Sequence, residues 1–281
     1  MTDVIRDVAS LRMLQGMWRR AGQSVGLVPT MGALHAGHMA LVAAAREECA
    51  KVVVTIFVNP TQFGANEDLD AYPDTFDADL QMLREAGVDV VFSPTREIMY
   101  PDGFSTTVKV GGLTDMLCGQ TRPGHFDGVT QVVTKLFNLG QADRAYFGQK
   151  DWQQLAVVRQ MARDLNFPTE VIGIPTVRAE DGLALSSRNA YLTEEERAIA
   201  PGMHKILRNA AARIAHGHGA SGVCYTAAKD VLGLGFKTVD YLECRDATTL
   251  QIVEAPKPGT ARVFVAAKLG GARLIDNVAV R

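Results

Sequence analysis

Two histidines, His35 and His38, stand three residues apart between a short apolar stretch and a helical pattern. On the first turn of a helix they would face the same way, and Gly37 between them lets a base or a phosphate approach the backbone. A helix amino terminus also offers free N–H donors and a partial positive charge. The imidazoles could therefore donate protons or hydrogen bonds to a leaving pyrophosphate. The alternative is that one histidine caps the helix and the other is an ordinary surface residue.

Two later clusters have side chains that suit phosphate. Gly148, Lys150 and Asp151 follow a predicted strand and open a helix, where they could approach, neutralise and orient a nucleotide. The segment Leu185–Asn189 combines two hydroxyls with a guanidinium in a loop, which is a suitable phosphate clasp. Each cluster alone is also compatible with solvated residues at a helix start.

Neutral polar residues follow the most apolar predicted strand. Asn59 and Gln62 could bond the hydroxyls and carboxylate of a small polar substrate, and Phe63 would supply an apolar wall. Arg122 and His125 add a cation and a third imidazole just before another helix. These residues predict a pocket for a small molecule.

The elements that must position these residues alternate between strand and helix up to about residue 175. The apolar, β-branched run at 52–58 is typical of a strand covered on both faces, as in a parallel sheet. Helices are predicted at 7–21, 36–50, 74–86, 128–139 and 151–165, and strands at 25–29, 52–58, 88–92, 144–147 and 170–174. This order predicts an α/β domain with a parallel sheet and helices on both faces.

After Pro175 strands and helices no longer alternate. Helices are predicted at 193–216 and 220–232, and strands at 238–244, 261–268 and 273–275. A helix pair followed by strands without intervening helices predicts a small α+β domain with an antiparallel sheet. We therefore predict two domains, 1–175 and 176–281.

Composition excludes several classes of protein. With 281 residues, 47% apolar residues and a formal charge of −2, the chain matches an ordinary globular protein of roughly two domains. The balanced charge disfavours a nucleic-acid or membrane-surface binder. No apolar run is long enough for a membrane span and the amino terminus is charged, so a cytoplasmic location is expected. The four scattered cysteines predict neither disulfides nor structural zinc.

The motifs together resemble a known family. His35-Ala36-Gly37-His38 with Ser186-Ser187-Arg188 resembles the HIGH and KMSKS-like signatures of the nucleotidyltransferase superfamily, which includes class I aminoacyl-tRNA synthetases. With 29–35, 57–63, 122–126, 147–151 and 185–189 in this order, the chain resembles the pantoate–β-alanine ligase family over nearly its whole length. The resemblance implies a Rossmann-like first domain and a smaller lid domain. It also implies that ATP and (R)-pantoate form pantoyl adenylate and pyrophosphate, and that β-alanine then displaces AMP.

The resemblance also assigns roles to matched positions. His38 is expected to be the proton donor in adenylation, with His35, Lys150, Ser186, Ser187 and Arg188 as phosphate contacts. The expected ATP site comprises Met31, Gly32, Ala33, Leu34, His35, Ala36, Gly37, His38, Gly148, Gln149, Lys150, Asp151, Val177, Leu185, Ser186, Ser187 and Arg188. Gln62 and Gln154 are expected to hold pantoate, Gln62 also to contact β-alanine, and Asn59, Tyr72 and Arg122 to line the site. Magnesium is implied as ATP's cation, with Asp79 as its protein ligand, and the family implies a homodimer.

Two other functions stay open at this stage. A nucleotidyltransferase that moves AMP or CMP onto a phosphorylated acceptor would share the histidine helix but would need more basic residues than Asn59 and Gln62 supply. A catalytically silent nucleotide- or RNA-binding relative would not need the intact histidines, and the near-neutral charge disfavours RNA.

Overall fold

The structure is a computed structural model that describes residues 2–64, 67 and 69–281. These residues form two compact units. The first comprises Met1–Asp115, Arg122–Gln149 and Gln154–Pro175, and the second comprises Met116–Thr121, Lys150–Gln153 and Thr176–Arg281. Lys150 and Asp151, which lie in the sequence between two segments of the first unit, thus belong to the second unit.

The first unit is built on a six-stranded parallel sheet in the order β1-β4-β3-β2-β5-β6. The strands are β1 (Asp3–Ile5), β2 (Val25–Thr30), β3 (Lys51–Ile56), β4 (Val90–Phe92), β5 (Arg144–Gly148) and β6 (Glu170–Ile174). The order reverses between β2 and β5, and in open parallel sheets ligands bind at the carboxyl ends of the strands at such a switch point. The ends of β2 and β5 lead to residues 31–38 and to Gly148 and Gln149, so the predicted α/β fold is confirmed in the arrangement that positions the site.

The helices of the chain up to residue 175 are α1 (Val8–Arg20), α2 (Ala36–Glu48), α3 (Phe76–Glu85), α4 (Arg96–Met99), α5 (Cys118–Thr121), α6 (His125–Gly140) and α7 (Trp152–Asp164). Leu41 and Val42 of α2 and Leu80 of α3 share one apolar cluster with alternate residues of β3, Val52 and Val54. The intervening Val53 and Thr55 are also buried. Strand β3 is therefore covered on both faces, as its sequence predicts.

The second unit contains α8 (Glu194–Ile199), α9 (Pro201–Ala215) and α10 (Ala220–Gly233), with a three-stranded antiparallel sheet of β7 (Thr238–Asp246), β8 (Ala261–Leu269) and β9 (Ala272–Ala279). The predicted antiparallel sheet is confirmed. The single helix predicted over 193–216 is wrong, because the structure has two helices that meet at Ala200 and Pro201. Proline lacks an N–H group, so it starts a helix readily and interrupts one.

Three further observations concern strand β1, the cysteines and the lengths of the helices. Strand β1 pairs with β4 at the edge of the parallel sheet, although Asp3 makes its sequence look like a charged terminus. All four cysteines are buried and free. None of the helices in the described part of the chain combines the length and the apolar character that a membrane span requires.

Candidate active site

The segment between β2 and α2 makes a tight turn. Gly32 and Ala33 both have positive φ, at 83° and 50°. A β-carbon on Gly32 would lie 3.1 Å from Oδ2 of Asp79, so the position needs glycine for space as well as for conformation. The hydroxyl of Thr30 donates to the Thr55 carbonyl at 2.6 Å and accepts from the Gly32 N–H at 3.2 Å. The turn is therefore fixed to the end of the sheet.

Asp79 holds this turn from helix α3. Its side chain is 2% exposed, and its two oxygens accept hydrogen bonds from the N–H groups of Ala33 at 2.9 Å and Leu34 at 2.8 Å. The Thr75 hydroxyl donates to Oδ2 at 3.0 Å. Three donors on one buried carboxylate replace its hydration, which is what keeps such a group stable inside a protein.

These contacts do not fit the magnesium-ligand role that the resemblance implies for Asp79. Mg²⁺ prefers octahedral oxygen coordination and keeps several water molecules, which a buried carboxylate facing three N–H or O–H donors does not accommodate. The described residues contain no group of three or more histidine, cysteine or acidic side chains that could hold a metal ion. The contacts of Asp79 therefore fit a structural role in the turn and do not fit a magnesium ligand.

His35 and His38 cap helix α2 reciprocally. Nδ1 of His35 accepts from the Gly37 N–H at 3.1 Å, and Nδ1 of His38 accepts from the His35 N–H at 3.3 Å. Their ring centroids are 4.1 Å apart. An imidazole whose Nδ1 accepts a hydrogen bond carries its proton on Nε2 when neutral. The capping geometry therefore makes Nε2 the donor atom of both rings.

The same contacts correct one expectation about the helix terminus. The sequence predicts free N–H donors there, but two N–H groups at the helix terminus and two in the turn before it already have partners within the protein. Asp79 receives the N–H groups of Ala33 and Leu34, and the two histidines receive those of His35 and Gly37. These four N–H groups are therefore engaged within the protein rather than open to a phosphate.

Asn59 lies three residues beyond the end of β3 and is 1% exposed. Its Nδ2 donates to the Gly128 carbonyl and to Oε1 of Gln62, both at 3.1 Å. Its Oδ1 accepts from the Tyr100 hydroxyl at 2.8 Å and from the Thr61 hydroxyl at 3.0 Å. Every polar atom of Asn59 is thus engaged by the protein, and its effect on a ligand passes through Gln62.

Gln62 joins two of the predicted groups of residues. Its Nε2 lies 3.1 Å from the sulfur of Met31, which follows β2, so predicted ATP and pantoate residues meet here. The rings of Phe63 and Tyr72 meet edge to face at a centroid distance of 6.1 Å. A β-carbon on Gly128 of α6 would lie 2.5 Å from the Gln62 nitrogen. Gly128 therefore lets the helix lie directly against the Gln62 backbone.

Arg122 and His125 support the Gln62 loop through a hydrogen-bonded chain. Arg122 donates to both oxygens of Glu67, at 2.6 and 2.5 Å, and Nη1 lies 2.9 Å from Nε2 of His125. Nδ1 of His125 lies 2.8 Å from the Gln62 carbonyl, so Nδ1 is the donor and Nε2 the acceptor. Burial alone would raise the pKa of Glu67, but the hydrogen bonds and charge of Arg122 outweigh it and lower that pKa to about 2.

The remaining predicted residues of the first unit lie around β5 and α7. Gly148 ends β5. The amide of Gln149 donates to the Gly173 carbonyl of β6 at 3.0 Å, which fixes its side chain against the sheet. Gln154 is half-buried on α7.

In the second unit the predicted phosphate contacts occupy two segments. Nζ of Lys150 lies 3.9 Å from Oδ1 of Asp151. Val177 and Leu185 pair through the Leu185 N–H and the Val177 carbonyl at 3.0 Å, which brings the second segment together. Ser186 caps the 3-10 helix Ser187–Tyr191 by accepting from the Arg188 N–H at 3.3 Å.

Several residues with structural roles at the site have no sequence signal of their own. Tyr100, Glu67 and Gly128 act on the Gln62 loop from positions that no local motif marks. Asp276 and Asn277, two polar residues in the apolar strand β9, are the detectable exception, since buried polar residues need a reason.

Comparisons with known proteins agree with this architecture. The family model described as pantoate-beta-alanine ligase matches residues 3–279. A pantothenate synthetase of Dinoroseobacter shibae is 79% identical over 280 residues and is covered completely, as is this chain. One from Roseobacter denitrificans is 50% identical, with 99% of this chain and 97% of that protein covered.

Solved structures give the same result. A pantothenate synthetase of Thermus thermophilus superposes with a TM-score of 0.92 at 47% identity, covering 100% of this chain and 99% of that one. A pantoate-beta-alanine ligase of Francisella tularensis, complexed with beta-gamma ATP and beta-alanine, has a TM-score of 0.85 at 32% identity and covers 100% and 98%. The chain belongs to the pantoate–β-alanine ligase family and is a ligase of that family.

Proposed function

We propose that this protein condenses (R)-pantoate with β-alanine in two steps and thereby makes pantothenate, the precursor of coenzyme A. A carboxylate oxygen of pantoate attacks the α-phosphorus of ATP, and pyrophosphate leaves with the electrons of the broken P–O bond. The amine of β-alanine then attacks the acyl carbon, loses a proton, and expels AMP. Adenylation is chemically necessary because a free carboxylate is a poor acyl donor.

The observation that best supports the adenylation step is the reciprocal capping of His35 and His38. With Nδ1 of each ring accepting a backbone N–H, Nε2 is the donor that can stabilise charge developing on pyrophosphate. The rings are held before any substrate binds, so little reorganisation is needed when charge develops. We assign His38 as the proton donor and His35 as a phosphate partner.

Lys150, Ser186, Ser187 and Arg188 provide further contacts to the phosphates. An ammonium, a guanidinium and hydroxyls are the side chains that neutralise and orient phosphate oxygens. Met31, Gly148, Val177 and Leu185 belong to the proposed walls of the ATP site. ATP brings magnesium as its own cation, and no step here depends on a protein ligand for it.

Gln62 is the proposed contact to pantoate and β-alanine, with Gln154 as a second contact to pantoate. Neutral amides suit a substrate that presents hydroxyls and a carboxylate, because they bond both without adding charge. Asn59 and Arg122 then act as positioning residues, since their polar atoms engage the Gln62 loop and its support. Binding both reactants in one orientation supplies much of the rate, and no covalent enzyme intermediate is needed.

Transfer of an isotope tests the proposed route. Pantoate labelled with ¹⁸O in its carboxylate is incubated with ATP, β-alanine and magnesium, and the products are analysed by mass spectrometry. We expect one labelled oxygen in AMP, because the attacking oxygen stays on phosphorus when the amine displaces AMP. Label in inorganic phosphate, with ADP as the nucleotide product, would instead indicate an acyl phosphate and would refute the adenylate. A homodimer and a cytoplasmic location stay predictions from the sequence.

A further inference from the structure

Strand β9 carries two adjacent buried polar residues, Asp276 and Asn277, which are 3% and 2% exposed. Their partners across the sheet, Val265 and Phe264 of β8, are apolar. Burying a carboxylate and an amide costs free energy unless both are fully hydrogen-bonded. Because adjacent strand residues face opposite sides of a sheet, each of the two must find its partners on a different face.

Asp276 binds the hairpin that leads into the Ser186 loop. Arg178 donates to both carboxylate oxygens of Asp276, at 2.7 and 2.8 Å, and Nδ1 of His204 lies 3.1 Å away. Arg178 also pairs with Ala184 across the hairpin, and its Nη1 donates to the Gly182 carbonyl at 3.1 Å. The chain continues directly from this hairpin into residues 185–188. The Arg178–Asp276 pair therefore fixes where those residues begin.

Asn277 binds the other phosphate segment. Its Nδ2 donates to the Lys150 carbonyl at 2.9 Å, and its Oδ1 accepts from Nε of Arg262 at 2.6 Å. A donor on one side and an acceptor on the other determine the orientation of the amide. The guanidinium of Arg262 also stacks on Trp152, 4.0 Å from the ring centroid, and the Trp152 indole donates to the Ala247 carbonyl at 2.8 Å. Asn277 thus holds the backbone of Lys150 directly. Arg262 and the Ala247 carbonyl hold the side chain of Trp152, two residues further along the chain.

We propose that the pair Asp276–Asn277 positions both phosphate-contacting segments of the second unit, Lys150 and residues 186–188. Since the two residues are neighbours on one strand, they fix the distance between those segments. Neither residue contacts the reacting atoms in this account. The role rests on the function proposed above and adds to it the residues that set the affinity for ATP.

The first test compares Asn277→Ala and Asn277→Asp with a matched control. Asn277→Asp keeps the acceptor for Arg262 but places an oxygen against the Lys150 carbonyl, so it removes one contact with little change in volume. The control, Asp240→Asn, weakens the ion pair that Arg273 of the same strand makes at 2.7 Å, and it touches neither phosphate segment. We expect both Asn277 variants to raise the KM for ATP about ten- to a hundredfold, as misplacement by about 1 Å does. The KM for pantoate should stay unchanged.

The control separates positioning from stability. Asp240→Asn is expected to lower the melting temperature without changing the KM for ATP. If the Asn277 variants behave in the same way, Asn277 is a structural residue only and the proposal is overturned. Arg178→Lys tests the Asp276 side, because it keeps the charge but loses the bidentate geometry. It should also raise the KM for ATP.

A double-variant cycle tests whether Asn277 acts through Lys150. If it does, Lys150→Ala with Asn277→Ala loses no more activity than Lys150→Ala alone, because the positioned side chain is already gone. Losses that multiply would overturn the proposal. Failure of the underlying function is distinguishable, since the wild type would then show no pantoate-dependent consumption of ATP and Lys150→Ala would change nothing. A wild type that turns over, with Asn277 variants that match it, would reject the positioning role alone.

Discussion

The two groups of proposed phosphate contacts are held in place by different kinds of interaction. In the first unit, His35 and His38 orient each other within one helical turn, and the single carboxylate of Asp79 fixes the preceding turn. In the second unit, Lys150 and residues 186–188 stand far apart in the chain. Strand β9 binds Lys150 through Asn277, and through Asp276 it binds Arg178, in the hairpin that precedes residues 186–188. The two histidines are thus oriented by local capping, with one long-range support from Asp79, whereas the second group depends on long-range contacts alone.

This difference explains what each group can tolerate. A change at His38 removes both a proposed catalytic atom and part of a helix cap, because Nδ1 and Nε2 of one ring have separate tasks. A change at Asn277 removes no proposed catalytic atom and acts only on the placement of Lys150. The role of the histidines is therefore tested by variants that separate helix capping by Nδ1 from proton donation by Nε2. The role of Lys150 and residues 186–188 is tested by variants of the remote residues that position them.

The largest effect is expected at His38. His38→Ala should lower pantoate-dependent turnover by about 10²- to 10⁴-fold, the usual contribution of a positioned acid or base. It should also destabilise helix α2 by about 1 kcal/mol, because the acceptor for the His35 N–H is lost. Steady-state kinetics and thermal unfolding measure the two effects.

His38→Asn is the matched variant, because its side-chain oxygen can replace Nδ1 as an acceptor while nothing replaces Nε2. Its stability should stay near that of the wild type and its turnover should fall as in His38→Ala. Near-normal turnover in either variant would remove His38 from the mechanism.

Asp79 is expected to have the next largest effect. Asp79→Ala leaves the partly buried N–H groups of Ala33 and Leu34 without an acceptor, which costs about 1 kcal/mol of unfolding free energy per group. Turnover should fall with it, because the turn before His35 loses its support.

Magnesium titration separates this role from metal binding. Asp79→Asn retains one acceptor oxygen, and we expect its magnesium requirement at saturating ATP to match the wild type. A requirement raised about ten- to a hundredfold would identify Asp79 as a metal ligand after all.

A smaller effect is expected at Gly128. A β-carbon there would overlap the Thr61 carbonyl and lie 2.5 Å from the Gln62 nitrogen, so Gly128→Ala must displace the Gln62 loop. We expect the KM for pantoate to rise about tenfold and the unfolding free energy to fall by about 1–3 kcal/mol. Gly222→Ala in helix α10 is the control, because nothing lies within 4 Å of its added carbon. This control should stabilise the protein slightly. If Gly128→Ala has the same effect, the Gln62 loop accommodates the added carbon and the prediction is contradicted.

The smallest effect concerns Glu67 and its dependence on pH. Its pKa falls from 4.5 to about 2 in the folded protein, so its ionised form stabilises the fold above about pH 4.5 and loses that effect as the pH falls toward 2. Glu67→Gln should therefore cost about 1 kcal/mol near pH 7, a modest amount for a partly exposed pair. Urea unfolding should show the two proteins converging as the pH falls below 4.5. A difference that does not change with pH would show that the Arg122 contact is not electrostatic.

The sequence predicts those parts of the fold that depend on local patterns. The β-branched run of β3 appears in the structure as a strand buried on both faces, as its sequence indicates. The break at Pro201 was equally local, but the helical periodicity on both sides of it outweighed the proline and the prediction of one helix was wrong. Strand β1 is not predicted from the sequence, because its three residues have no strand pattern of their own and form a strand only by pairing with β4.

The candidate site likewise contains features that the sequence predicts and features that only the structure reveals. His35 and His38 are recognisable from spacing and context, although their mutual capping is visible only in three dimensions. The contacts of Asp79 could not be predicted, because an acidic residue on a helix looks the same whether it faces a metal ion or backbone N–H groups. Asn277 stands out in the sequence as a polar residue in an apolar strand, but its partner Lys150 could not be predicted because the contact joins distant parts of the chain.

Exchange of labelled pyrophosphate into ATP tests the central claim most directly. With magnesium and pantoate present and β-alanine absent, we predict exchange that requires pantoate in the wild type and is strongly reduced in His38→Asn. Such exchange means that the first step is reversible and proceeds without the amine. An absence of exchange with pantoate, in protein that binds ATP, would contradict a separate adenylation step.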